Sequence, residues 1–178
     1  PKKVHEKNGI YFINETKNAV SDYFPDLKDN DDYTSIINQN HYDRLQDLLN
    51  DAVEKGATID EINPANEDFS QQEHFKIPPT IVSNTTDDMK IMQEEIFGPL
   101  LPVVEYDEIN EATKLINSKD RPLGLYYFGN DQSEQDNILN KTSSGGVTVN
   151  NVISHLQQND LSFGCLLYTS DAADEQLS

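Results

Sequence analysis

The feature that most constrains this chain is an alternation between residues 100 and 150. Leu100-Leu-Pro-Val-Val-Glu-Tyr106 is an apolar run of strand length and reads as a buried strand. Asp107 sits where a helix N-cap belongs, and Ile109, Ala112, Leu115 and Ile116 follow at helical spacing. Leu123-Gly-Leu-Tyr-Tyr-Phe128 reads as a second strand. Asp131-Gln-Ser-Glu134 opens a second helix with a capping-box pattern, and Gly146-Val-Thr-Val-Asn150 is a third strand. Strands joined by helical connections of this length pair in parallel through right-handed crossovers. The fold class is therefore α/β, a mostly parallel sheet flanked by helices.

The residues before this unit are less regular. Residues 14–24 can form a helix with Ala19, Val20 and Phe24 on one side, stopped by Pro25. Residues 26–32 are an acidic loop. From Thr34 the pattern turns helical, with Ile37, Leu45, Leu48, Leu49 and Val53 on one stripe and Tyr42 beside it; Gly56 stands where a C-terminal glycine belongs. Thr58-Ile59 is a short strand and residues 60–75 a long polar loop. Ile77-Pro-Pro-Thr-Ile-Val82 is extended, and its two prolines place it at a sheet edge or a strand start. Residues 87–92 make a short turn or helix.

Composition removes several function classes. The chain has 178 residues, 32 acidic against 13 basic side chains, and a formal net charge of −19. Phosphate neutralisation needs clustered Lys and Arg, so nucleic acid is an unsuitable partner. An anionic membrane surface would repel the chain, and no apolar run approaches the ~20 residues that span a bilayer. Pro1-Lys2-Lys3 is followed by polar residues, unlike a secretory leader, and the expectation is a cytoplasmic protein. The acidity itself reads as a solvated surface. The single cysteine, Cys165, excludes an intrachain disulfide, and the histidines at 5, 41, 74 and 155 show no metal-ligand spacing. There is no GxGxxG and no phosphate-loop motif. Ser143-Ser-Gly-Gly146 reads as a helix end feeding a strand.

One segment stands out chemically: Glu94-Glu95-Ile96-Phe97-Gly98-Pro99. In an extended chain, side chains two apart face the same way, which would put Glu95 beside Phe97. Gly98-Pro99 then turns the chain just before a buried strand. A carboxylate next to an aromatic face suits a ribose diol next to a flat heteroaromatic ring. An exposed acid and a core Phe are the plainer alternative.

Several segments in order carry a resemblance. They are Lys76-Ile-Pro-Pro-Thr80, Met92-Gln-Glu-Glu-Ile-Phe-Gly-Pro99, Pro122-Leu-Gly-Leu-Tyr-Tyr-Phe128, Ser144-Gly-Gly-Val-Thr-Val-Asn150 and Leu161-Ser-Phe-Gly164. Together they resemble the aldehyde dehydrogenase family. Asp31-Asp-Tyr-Thr-Ser-Ile-Ile37 and the Tyr-Tyr-Phe strand are most similar to its coniferyl aldehyde dehydrogenase branch. The resemblance runs from about residue 15 to residue 164. It implies most of a catalytic α/β domain, which is consistent with the alternation above, and places the dinucleotide-binding glycines elsewhere in the family's chain. It also implies NAD or NADP as cofactor, a small aldehyde as substrate, no nucleic acid or membrane partner, and a homodimeric or homotetrameric parent. The implied chemistry is attack of a cysteine thiolate on the aldehyde, hydride loss to the nicotinamide, and hydrolysis of the thioester by a glutamate-activated water. By the same resemblance Glu95 meets the nicotinamide ribose hydroxyls, Phe97 lies beside the nicotinamide ring, and Leu123 lines the same region. Phe163 is the aromatic near the active-site mouth, and Asn150 supports the site by packing and hydrogen bonding.

The departures are equally specific. The family's nucleophilic Cys, general-base Glu and oxyanion-hole Asn match no residue here and belong upstream of Pro1. Cys165 falls where the family has glycine and cannot replace the nucleophile, and Ser162 replaces a proline. Residues 1–13 match the family poorly, and residues 14–164 are the catalytic-domain fragment. Residues 165–178, from Cys165-Leu-Leu-Tyr-Thr-Ser-Asp-Ala-Ala-Asp-Glu175, continue no pattern and read as the translation of a sequencing-library adapter. The chain alone is therefore expected to be inactive; the alternative is a non-catalytic interaction module that keeps part of the fold.

Overall fold

The computed structural model describes residues 2–157, with side chains from Gly9 onward. Phe163, the segment 161–164 and the stretch from Cys165 lie outside the described residues. The chain divides into two units, one ending at Glu105 and one beginning at Tyr106.

In the first unit, helix α1 runs Lys2–Tyr23, so the helix expected at 14–24 begins much earlier. Its end before Pro25 is as the proline requires. The Lys17 ammonium meets the Asp60 carboxylate at 2.5 Å, a part-exposed pair worth little stability.

Helix α2, Gln39–Glu54, carries the core stripe. Asn38 caps it, its carboxamide oxygen accepting from the His41 N–H at 3.0 Å. Lys55 closes the other end, and Gly56 adopts φ +93°. The Gly56 N–H bonds the Val53 carbonyl and the Ala57 N–H the Ala52 carbonyl, the paired bonds of a Schellman ending. Leu45, Leu48 and Ala52 are buried. Ile37 is 83% exposed and Val53 54% exposed, which corrects their place on the stripe. Ile37 precedes the cap, and Val53 stands about 100° around the helix from Ala52.

The stripe packs on Ile77, Val82, Met89, Ile91 and Leu100. Strands β1 (Thr58–Glu61), β2 (Thr80–Ser83) and β3 (Leu100–Pro102) form a sheet in that order. β2 is antiparallel to β1, with Ile59 opposite Val82, and parallel to β3, with Ile81 opposite Leu101. Pro78 and Pro79 stop just short of β2, so they mark a strand start and the strand itself is central. β3 is shorter than the run 100–106 suggests. Leu101, Val104 and Tyr106 are each about 40% exposed, which corrects the expectation of a wholly buried strand.

The acidic loop and the long loop brace one another. The Glu67 carboxylate accepts from the Leu27 N–H at 2.7 Å and the Lys28 N–H at 3.0 Å. Buried Lys76 donates to the carbonyls of Leu27 (3.0 Å) and Asn30 (2.6 Å). Tyr33 donates to the Ile77 carbonyl at 2.6 Å, and burial pushes its phenol well above the usual tyrosine range. Charge-assisted bonds of this kind order an irregular segment that cannot form its own ladder. A short 3-10 turn, Lys90–Met92, is tied to α2 by its first N–H, which donates to the Asp51 carboxylate at 2.8 Å. That bond, together with the Lys55 ammonium at 2.9 Å, holds the Asp51 carboxyl below the usual carboxylate range.

The second unit is the β–α–β part. Helix α3 spans Ile109–Ser118 and its N-cap is Glu108, whose side chain makes no cap bond; Asp107, expected as cap, lies one residue earlier. The Glu111 carboxylate reaches back to the Asp107 N–H at 3.0 Å. The buried residue of α3 is Thr113, while Ala112, Leu115 and Ile116 are half-buried. Strand β4 (Leu125–Tyr127), helix α4 (Gln132–Lys141) and strand β5 (Val147–Val149) follow. Asp131 caps α4 through the N–H groups of Ser133 (2.8 Å) and Glu134 (3.1 Å), as its sequence context predicts. β4 and β5 pair in parallel, Tyr127 opposite Val149, with α4 as the crossover.

Candidate functional site

In the first unit the site is the segment between the 3-10 turn and β3. Its geometry is set from α2. Arg44 donates to the Glu94 carboxylate at 3.2 Å, to the Glu95 carbonyl at 3.3 Å and to the Ile96 carbonyl. The next residue, Leu45, is fully buried and lies against Gly98: a Cβ on Gly98 would stand 2.6 Å from Leu45 Cδ1. Pro99 then passes its carbonyl to the Thr80 N–H at 2.8 Å, which starts the β2–β3 pairing.

Between these anchors, Phe97 has φ +46° and is 75% exposed. A left-handed backbone costs a non-glycine residue about 1–2 kcal/mol, and an exposed ring recovers little by burial. Strain of that kind persists where the surroundings over-determine it. It also breaks the strict two-residue alternation, so the extended-chain argument for Glu95 beside Phe97 does not apply. Glu95 is exposed and, among the described residues, its carboxylate makes no hydrogen bond, while that of Glu94 is taken by Arg44. The pair of adjacent glutamates is thus divided into one committed and one free.

The second unit holds the other two described candidates. Leu123 precedes β4 and is 60% exposed. Asn150 follows β5 with φ +52°, a conformation asparagine tolerates better than most residues. Its carboxamide accepts from the Gly129 N–H at 2.9 Å and donates to the Gly129 carbonyl at 3.0 Å. That pair of hydrogen bonds to the backbone N–H and carbonyl of one residue joins the ends of the parallel strands, since the Asn150 N–H also donates to the Tyr127 carbonyl at 2.7 Å. Buried His155 packs beneath: its Nδ1 is 3.0 Å from Thr148 Oγ1 and its ring is 5.8 Å from that of Tyr126.

Arg44 in the first unit and the Thr148–His155 pair in the second each adjoin candidate residues of their own unit, and sequence reasoning did not single them out. Arg44 is one of only two arginines in an acid-rich chain, and that scarcity was a usable signal. The His155 contact had none, because it depends on the space left by glycines. Among the described residues no group of three or more His, Cys, Asp or Glu could hold a metal ion, and no helix is long and apolar enough to cross a membrane.

The first unit has a parallel strand pair with a strained segment at the start of one strand, and the second is a β–α–β unit, so the chain is of the α/β class. Comparison with known proteins makes the assignment specific. The chain belongs to the aldehyde dehydrogenase family, whose profile matches residues 3–165. That match takes in most of the segment 1–13. The probable coniferyl aldehyde dehydrogenase of Caulobacter vibrioides is 58% identical over 153 residues, 86% of this chain and 32% of that protein. The substrate-bound Staphylococcus aureus AldH superposes with a TM-score of 0.77 at 32% identity, covering 91% of this chain and 34% of that one. A mutant aldehyde dehydrogenase C of Pseudomonas syringae, complexed with NAD+ and octanal, gives a TM-score of 0.57 at 29% identity, over 66% of this chain and 24% of that one. The chain therefore spans about a third of the length of the relatives it matches.

Proposed function

We propose that residues 14–164 are part of the catalytic domain of an NAD- or NADP-dependent aldehyde dehydrogenase that oxidises an aldehyde to its carboxylic acid. The substrate class is an aromatic aldehyde such as coniferyl aldehyde, supported by the 58% identity to the Caulobacter vibrioides protein. The observation that carries the reading is an exposed Glu95 carboxylate with no hydrogen bond among the described residues, two positions before an exposed, strained Phe97, in a segment braced from α2.

These residues fit the nicotinamide half of the cofactor. A carboxylate with no competing partner can accept hydrogen bonds from both hydroxyls of a ribose. An exposed ring two residues on offers a face or edge to the nicotinamide. A nicotinamide held there would supply the hydride acceptor for the aldehyde carbon. The family resemblance alone assigns Leu123 to the cofactor region and Phe163, outside the described residues, to the site mouth. Asn150 holds the strand ends together through Gly129 and acts by support. The nucleophile is supplied by the longer protein, because Cys165 lies where the family carries glycine. The parent is proposed to be a cytoplasmic homodimer or homotetramer, on the family resemblance.

The test uses the full-length protein that contains this sequence. It is expected to oxidise coniferyl aldehyde with reduction of NAD or NADP, while the 178-residue chain gives no turnover. Failure of the full-length protein to oxidise any of a panel of aromatic and aliphatic aldehydes with either cofactor would sink the proposal.

A further inference from the structure

We infer that Arg44 is a positioning residue for the cofactor segment: it selects Glu95 as the free carboxylate of the Glu94–Glu95 pair and locks Phe97 in its left-handed conformation. The inference rests on the reading of Glu95 as a ribose ligand, and goes beyond it by naming what sets that ligand's geometry.

Three contacts carry the argument. The guanidinium donates to the Glu94 carboxylate, the Glu95 carbonyl and the Ile96 carbonyl, so it neutralises one glutamate while fixing the backbone of the next two residues. Its Glu94 contact takes the acid that would otherwise compete with Glu95 for a ligand or repel it. Leu45, the adjacent α2 residue, abuts Gly98 on the far side of Phe97. The chain is thus pinned before and after Phe97, with the reversal of φ confined to the residue between the pins. An arginine is suited to this because its planar fork spans several acceptors at once; a lysine ammonium is a point charge.

The contact is also economical with the helix it comes from. Arg44 lies beside the buried Leu45–Leu48–Ala52 stripe, so the core packing of α2 sets where the guanidinium stands. Burial of that stripe and presentation of Glu95 are in this way coupled through two consecutive residues.

The test compares Arg44→Met, Arg44→Lys and Glu94→Gln. In the 178-residue chain, backbone couplings and carbon shifts of Phe97 report its φ. Both Arg44 variants are expected to lose the left-handed signature, whereas Glu94→Gln retains it through the two carbonyl bonds. In the full-length protein, both Arg44 variants should raise the cofactor KM roughly tenfold or more, with the aldehyde KM within about twofold of wild type. Retention of the left-handed Phe97 in Arg44→Met overturns the inference. So does full restoration by Arg44→Lys, which would reduce the contact to a charge pair with Glu94. If Arg44→Met does not fold, Arg44→Lys carries the same comparison. If the wild-type full-length protein uses neither NAD nor NADP, the ribose reading fails, and the Phe97 conformation alone decides whether Arg44 sets the segment.

Discussion

Leu48→Ala is expected to destabilise the chain by about 2–5 kcal/mol, read as a fall in the denaturant midpoint at unchanged slope. Leu48 is 1% exposed at the centre of the α2 stripe, with Leu45 and Ala52 on either side of it and Val82, Met89 and Leu100 in the same core. Truncation removes apolar contact and leaves a cavity between a helix and the central strand β2, neither of which has room to collapse freely. Val53→Ala is the matched control. Val53 is 54% exposed, and its loss should move stability by no more than about 0.5 kcal/mol. Equal effects from the two would mean that α2 is rotated relative to the sheet, and the account of Arg44 and Leu45 would fall with it.

Gly146→Ala carries the second large effect. A Cβ there would stand 2.3 Å from Cδ2 and 2.9 Å from Nε2 of His155. The imidazole is buried and held by its Nδ1 contact with Thr148, so moving it gives up a buried hydrogen bond. Overpacking of this kind costs about 1–3 kcal/mol. Gly124 offers the contrast within the same pocket: its Cβ would meet His155 Cε1 at 3.6 Å, an ordinary contact. Gly124→Ala should therefore leave the thermal midpoint nearly unchanged while Gly146→Ala lowers it. The reverse order would mean that His155 does not occupy the space above β5.

Local chemistry was the legible part of this chain. Asp131 with Glu134 three residues on, and Gly56 after a helical stripe, each satisfy orphan backbone groups within a few residues, so both could be read before any fold was known. The β4–α4–β5 order was legible for the same reason, because periodicity is local, but β3, expected to share their sheet, pairs with β2 in a separate one. What the sequence hid depended on distance or on context. Ile37 looks like a stripe residue, yet Asn38 starts the helix after it. The run 100–106 has strand composition, but only its first residues have partners to pair with. Thr113 is buried on α3 where the apolar residues predict the centre of the face, and its hydroxyl is satisfied by the Ile109 carbonyl at 3.0 Å.

The candidate site divides along the same line. The identities of Glu95, Phe97, Leu123 and Asn150 came from the motifs that contain them. Their geometry did not. An aromatic residue in the left-handed region has no sequence signature, and the residue that holds it there is Arg44, about fifty positions earlier in the chain. Adjacent glutamates look interchangeable in a sequence. A single guanidinium distinguishes them in space.

The most direct measurement is steady-state kinetics of Glu95→Gln in the full-length protein, with NAD or NADP as the varied substrate. The Glu95 carboxylate is exposed and makes no hydrogen bond among the described residues, so the substitution should leave the melt unchanged. Loss of a charged hydrogen-bond acceptor for the ribose should lower kcat/KM for the cofactor roughly 10- to 100-fold. A value within about twofold of wild type would contradict the assignment of this segment to the cofactor.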